Sequence, residues 1–313
     1  MKAADAAATL RAVIRGLALA LLCGTAQAEA LRACNPGPPP SLRQQDRLLQ
    51  LSQLIQQDLE ARGARLAVVA RAGTDLRRFG VDYSHAGLAL RHNPQGPWAV
   101  RQLYYDCEAR QSALFDQGLT GFLLGSEGAD QGRLLVLLLP AEAEGLLEQA
   151  ALDRERALAL MGPQYVANAH PDDALRQNCN QWLAELLAEA WGAAGRPEPT
   201  PRERAQAWLR DQGHAVQPVQ LSTGLWFVAA AFVPWLSQQG HPPEDRAALQ
   251  LRTTLPRDLH ALLQRQHPQL QRVEWCHVQS RAIRRENGAP LGEGCLTQAG
   301  DRVMALDAAT PGD

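Results

Sequence analysis

The segment Gln177-Asn178-Cys179-Asn180-Gln181-Trp182 places a thiol at the start of an expected helix. Asn178 can cap that helix, and Gln181, three residues on, completes a capping-box pattern. Trp182, Leu183, Leu186, Leu187 and Ala190 fall on one face, so the helix packs against a core with Cys179 in its first turn. Exposed N–H groups and the positive end of the helix dipole there favour a thiolate over a thiol, which suits a nucleophile. A cysteine at a helix start is more commonly a small core residue. What separates the two is whether a base can reach it.

Of the eight histidines, His85 is the best placed, because it interrupts the apolar strand pattern Tyr83-Ser84-His85-Ala86-Gly87-Leu88. His92-Asn93-Pro94-Gln95-Gly96 reads as a turn, making a hairpin of Tyr83 to Leu90 and Trp98 to Asp106. If Asn93 pairs with Gly96, His85 lies opposite Tyr104 and Gly87 opposite Gln102. Gln102, Tyr104 and Asp106 then share the face of His85, while Leu103 and Tyr105 point away. Gln102 is the diagonal neighbour and the expected orienter of the imidazole, with Asp106 as the alternative. The chemistry expected is attack on a carbonyl by Cys179, with His85 as base and then acid and Gln102 fixing the ring. The backbone N–H of Cys179 would meet the oxyanion. Without Cys179, a lone strand histidine is usually an ordinary hydrogen-bonded residue.

The elements that must hold these residues follow from periodicity and turn chemistry. Ser41 can cap a helix to about Ala61, with Leu48, Leu51, Leu54, Ile55 and Leu59 along one face. Leu66 to Ala70 reads as a short buried strand, and Leu134 to Leu139 as a continuous apolar inner strand. Helix is expected over Gln111 to Leu124, Glu142 to Leu160, Asn178 to Trp191 and near Leu255 to Gln264. Thr200-Pro201-Arg202-Glu203 opens another helix with a capping box, and Gly213 ends it. Val216 to Leu221, Leu225 to Val233 and Val273 to Gln279 read as strands. The expectation is one exported α+β domain over residues 29–313, with a core at about 65–192 and a C-terminal α/β extension at about 200–313.

The N-terminus sets the compartment. Lys2, Arg11 and Arg15 precede the apolar run Gly16 to Leu22, and Ala26-Gln27-Ala28 supplies small residues for cleavage, which is a secretory signal peptide over residues 1–28. Acylation at Cys23 ranks second, because Leu22 is bulky for that processing. The mature chain is expected to be periplasmic or secreted, without a transmembrane segment. It keeps Cys34, Cys107, Cys179, Cys276 and Cys295, an odd number in an oxidising compartment, so at least one thiol stays unpaired. Cys276 and Cys295 flank a glycine-bearing stretch that can fold back and are plausible partners. Cys34 and Cys107 are the pair left over if Cys179 is the free one, although parity alone does not choose among the five.

The order of a Ser-His-x-Gly strand, a partner strand with a polar residue and a later Asn-Cys helix start resembles the circularly permuted papain-like fold. Lecithin retinol acyltransferase and its bacterial relatives have that arrangement, in reversed order from the NlpC-type cell-wall endopeptidases. Val69-Ala70-Arg71-Ala72-Gly73, Tyr83 to Gly87, Gly96-Pro97-Trp98, Gly118-Leu119, Asn178 to Trp182 and Ala205 to Leu209 together resemble an exported bacterial family of unknown function numbered 2145. The likeness runs from about Arg65 to Leu209. The family label brings no substrate. The distant resemblance implies a thiol hydrolase or acyltransferase, with an antiparallel sheet packed on the cysteine-bearing helix. It carries Cys179 as nucleophile, His85 as base and Gln102 as the third polar residue.

The 313-residue chain has 31 basic and 33 acidic residues, is 46% hydrophobic, and its only lysine is Lys2, which makes nucleic acid a poor partner. No close cysteine pair of zinc type, His-Glu-x-x-His helix, phosphate loop or dinucleotide glycine pattern is present, so neither a metal nor a cofactor is expected. His241, His260 and His277 read most simply as loop or surface residues. The leading expectation is a cysteine hydrolase or acyltransferase acting on an amide or ester bond of a cell-envelope peptide or lipid. The rivals are a non-catalytic envelope module that binds a peptide or assembly partner, and a structural protein in which Cys179 is bonded.

Overall fold

The computed structural model describes residues 39–73, 76–126, 128–224, 233 and 235–306. The expected signal peptide, Cys34 with its expected link to Cys107, and nearly all of the strand expected from Leu225 to Val233 lie outside the described residues.

Helix α1 (Leu42–Ala61) leads into strand β1 (Leu66–Arg71), the hairpin β2 (His85–Leu90) and β3 (Ala99–Asp106), β4 (Gln111–Gln117), helix α2 (Leu119–Leu124) and β5 (Gln131–Leu138). Next come helices α3 (Ala141–Leu152) and α4 (Arg154–Ala159), the short strands β6 (Gln164–Tyr165) and β7 (Arg176–Gln177), and helices α5 (Cys179–Ala188) and α6 (Pro201–Asp211). The chain continues through β8 (Val219–Gln220), α7 (Pro243–Ala247), β9 (Gln250–Leu251), α8 (Pro256–Gln266), β10 (Gln271–Val278), β11 (Arg281–Glu286) and β12 (Arg302–Ala305).

Eight strands make one antiparallel sheet in the order β12-β11-β10-β5-β1-β2-β3-β4. Alternate residues of β1 feed two separate cores. Leu66, Val68 and Ala70 pack with Trp182, Leu183 and Leu186 of α5, whereas Ala67 and Val69 pack with Leu51 and Ile55 of α1 and Phe122 of α2. Burial on both faces explains the unbroken apolar runs of β1 and β5, which a sheet wetted on one side would not need. The segment after residue 200 contributes β10, β11 and β12 to this same sheet, beside β5. Buried Glu274 on β10 accepts a 2.7 Å hydrogen bond from the Tyr83 hydroxyl, tying that segment to the start of the hairpin.

Several boundaries differ from expectation. Gln111 to Leu124 is not one helix: it starts as β4, paired with β3 from Asp106↔Gln111 to Val100↔Gln117, and only Leu119–Leu124 is helical. The expected helix from Glu142 to Leu160 breaks at Asp153, whose side chain accepts from Glu155 N and Arg156 N and starts α4. Helix α5 passes into a π-helical turn at Glu189–Ala193 rather than running regularly to Trp191. The strand expected from Val216 to Leu221 is only β8. His241 and His277 are buried, not surface residues, and His277 sits within β10. Thr200 and Glu203 form the expected reciprocal capping box. Cys276 and Cys295 form a disulfide, packed with Ile283 and Leu291. No helix of the described residues is long and apolar enough to cross a membrane.

Candidate active site

Cys179 is the first residue of α5 and His85 the first residue of β2, and these two element starts meet. Asn178 caps α5 by accepting from Gln181 N at 2.7 Å, and its amide group donates to Thr253 and to the carbonyls of Ala167 and Thr254. The reciprocal half of the expected capping box is absent, because the Gln181 side chain is drawn to Thr254 and Glu185 instead. Asn180 donates to the carbonyls of Ser84 and Thr254, and Ser84 Oγ accepts from Gly73 N. The backbone just before His85 is thereby tied both to the end of β1 and to the first turn of α5.

His85 Nδ1 lies 3.0 Å from Cys179 Sγ, and His85 Nε2 lies 2.5 Å from Gln102 Oε1. A carboxamide oxygen only accepts, so Nε2 carries the proton and Nδ1 presents its lone pair to the thiol. Gln102 is itself fixed by donating to Gln117 Oε1 at 3.0 Å. Pairs Leu88↔Arg101, Ala89↔Val100 and Leu90↔Ala99 give the hairpin the register that sets Gly87 opposite Gln102, as the turn between Asn93 and Gly96 implies. Asp106, the alternative orienter, is not at the site: its carboxylate caps the turn after β3 by accepting from Glu108 N and Ala109 N. Among the described residues Cys179 is the free cysteine.

The electrostatics differ from what the helix start alone suggests. Burial pushes the Cys179 thiol up to about 11, against smaller opposing effects from the N–H groups of Ala86 and Asn180, the Tyr165 hydroxyl and the Arg71 charge. Burial, and then Arg71, push His85 down to about 3. The resting pair is therefore a thiol hydrogen-bonded to a neutral imidazole, not the thiolate expected from the helix dipole.

Four further residues surround the pair, and sequence reasoning gave none of them a role in the site. Tyr165, in the two-residue β6, lies by the sulfur, where its hydroxyl opposes the rise in the thiol pKa, and burial raises its own pKa. Phe122 of α2 packs on the imidazole with ring centroids 5.9 Å apart, and Tyr104 meets it edge-on at 5.5 Å. Arg71 ends β1 as the ladder partner of His85, and its guanidinium covers the Phe122 ring at 5.1 Å. Only Tyr104 carried a signal, through its shared strand face with His85.

The fold is a mixed α+β domain, and its site is a buried chain of thiol, imidazole and carboxamide. The chain belongs to the family described as an uncharacterized protein conserved in bacteria (DUF2145), whose pattern matches residues 58–263 and thus spans every residue of this site. No curated protein and no solved structure matches the chain.

Proposed function

We propose that this protein is a cysteine-dependent hydrolase or acyltransferase of the bacterial envelope, acting on an amide or ester bond. The observation that carries the reading is the 3.0 Å approach of Cys179 Sγ to His85 Nδ1, with the other ring nitrogen held by Gln102. Nucleophile, base and orienter stand within hydrogen-bond reach in that order. In the first half-reaction Sγ bonds to the carbonyl carbon while its proton passes to Nδ1, and the carbonyl oxygen becomes an oxyanion facing the Cys179 N–H at the helix start. Collapse breaks the C–N or C–O bond, and the leaving group takes the proton from His85. Water or an acceptor hydroxyl or amine then attacks the thioester, gives its proton to His85, and releases the sulfur, which recovers that proton. The resemblance of the order of these parts to the permuted papain-like fold supports the reading, as the Cys276–Cys295 disulfide supports an oxidising, periplasmic or secreted location.

A specific observation favours the rival, a non-catalytic envelope binding or assembly module: Cys179, His85 and Gln102 are all buried, and two clefts open elsewhere, beside Glu148 and beside His170. An activated ester separates the two readings. With p-nitrophenyl acetate, an enzyme releases p-nitrophenol and carries an acetyl group on Cys179 by mass spectrometry, and His85→Ala slows this about 100-fold or more. A Cys179 that acetylates no faster than a free thiol removes the enzyme reading.

A further inference from the structure

Six arginines are buried among the described residues, and five of them face a carboxylate. Arg101 meets Asp116 at 2.6 Å, Arg133 meets Asp82 at 3.2 Å, and Arg202 meets Glu185 at 2.9 Å. Arg284 meets Asp58 at 3.0 Å and Arg285 meets Asp301 at 2.7 Å. The sixth, Arg71, is only 4% exposed, yet no carboxylate of the described residues pairs with it, and its Nε and Nη1 have no hydrogen-bond partner. Its surroundings are the Phe122 ring, the Tyr104 side chain, and the backbone of Gly125, where a methyl group would overlap the guanidinium. A buried cation without a counter-charge is costly, and among the described residues this is the one buried guanidinium without a carboxylate, beside the candidate base.

We infer that Arg71 is the recognition site for a carboxylate of the acyl substrate, held next to the bond that Cys179 attacks. This rests on the reading of Cys179 and His85 as nucleophile and base. The position fits, because Arg71 is the ladder partner of His85, and Phe122 touches both side chains. Nε and Nη1 are buried without a hydrogen-bond partner, and the planar guanidinium fork is the group that binds carboxylates bidentately. Occupation also changes the dyad. The uncompensated Arg71 charge disfavours an imidazolium at His85, and a bound carboxylate cancels that charge, so the base accepts the thiol proton more readily once substrate is seated.

Iodoacetate and iodoacetamide test this, because they deliver the same carbon electrophile with and without a carboxylate. In each case the Cys179 sulfur bonds to the methylene carbon, the C–I bond breaks, iodide leaves, and the thiol proton passes to His85. The ratio of the two rates at Cys179 is measured on the whole protein and compared with the ratio for N-acetylcysteine. Carboxylate recognition raises the wild-type ratio over the free-thiol ratio by about tenfold or more. Arg71→Gln returns it to the free-thiol value, and Arg71→Lys, which keeps charge without the fork, falls between. If Arg71→Gln does not fold, the wild-type ratio alone decides. A wild-type ratio equal to the free-thiol value overturns the inference while His85-dependent iodoacetamide labelling keeps the enzyme reading. An Arg71→Gln variant that slows both reagents equally also overturns it, by assigning Arg71 to the thiolate. Failure of both reagents to label Cys179 removes the enzyme reading and the inference with it.

Discussion

Gly87 sets the distance between the imidazole and its orienter, and Gly87→Ala tests that role. A Cβ built there would stand 2.8 Å from Val100 Cγ1, 2.9 Å from the Arg101 carbonyl oxygen and 3.2 Å from Gln102 Cβ. Val100 has limited freedom, and the carbonyl is backbone, so relief requires β3 to move away from β2. Restoring ordinary carbon contacts takes roughly 0.6 Å or more. The His85–Gln102 bond, now 2.5 Å, would lengthen to about 3.1 Å or beyond, where it weakens steeply if alignment is also lost. Overpacking costs about 1–3 kcal/mol. The smaller entropy of alanine in the unfolded chain offsets about 0.4–1 kcal/mol of that. A net destabilisation of about 1–2 kcal/mol by urea titration is expected, together with about tenfold slower iodoacetamide labelling of Cys179, the value of one hydrogen bond to the ring. Gln102→Ala combined with Gly87→Ala should slow labelling little further, since both act on one bond. Unchanged stability and labelling in Gly87→Ala would refute the claim that this close strand approach holds the site.

Two further outcomes follow from the site's electrostatics and its buried supports. With His85 pushed down to about 3 and Cys179 up to about 11, the imidazole is neutral and able to accept the thiol proton between those values. Labelling of wild type should stay flat with pH across that window and fall below it, whereas His85→Ala should label in step with the thiolate. A wild-type rate that climbs as an ordinary thiol does through pH ~8.5 contradicts the dyad. Glu185, fully buried on α5, accepts from Arg202, Gln177, Gln181 and Gln206, so Glu185→Ala strands a guanidinium beside three amides. A loss of about 3–5 kcal/mol in urea titration is expected, and a loss under 1 kcal/mol would show the network to be dispensable.

The parts of the site that were legible depend on local rules. The hairpin register came from one turn and two-residue alternation, which together fix every pair along β2 and β3. The Thr200 box and the Asn178 cap needed only residues three apart. What failed was non-local. Leu114, Leu119, Phe122 and Leu123 are spaced as well for a helix as for anything else, and only pairing with β3 makes the first half of that stretch a strand. Arg71 follows five apolar residues and looks like a strand end, and its burial arises from the ladder with His85 and the ring of Phe122. Tyr165 belongs to a strand too short for any periodicity.

The protonation state of Cys179 shows why a correct local rule misleads at this site. A helix start stabilises an anion by about 0.3–1 kcal/mol, rising to about 2 kcal/mol in favourable, partly buried geometry. Full burial opposes the same anion by as much as 3–5 pKa units, each about 1.4 kcal/mol. Burial therefore outweighs the dipole even with the opposing effects of the Ala86 and Asn180 N–H groups and the Tyr165 hydroxyl. A residue's position in a helix is written in neighbouring sequence, but its burial is set by everything packed over it. The consequence for mechanism is direct. Under the proposed function the nucleophile is not stored as a thiolate but is generated when a bound carbonyl gives the developing charge somewhere to go. The His85–Gln102 pair is fixed in advance so that the proton can leave at that moment.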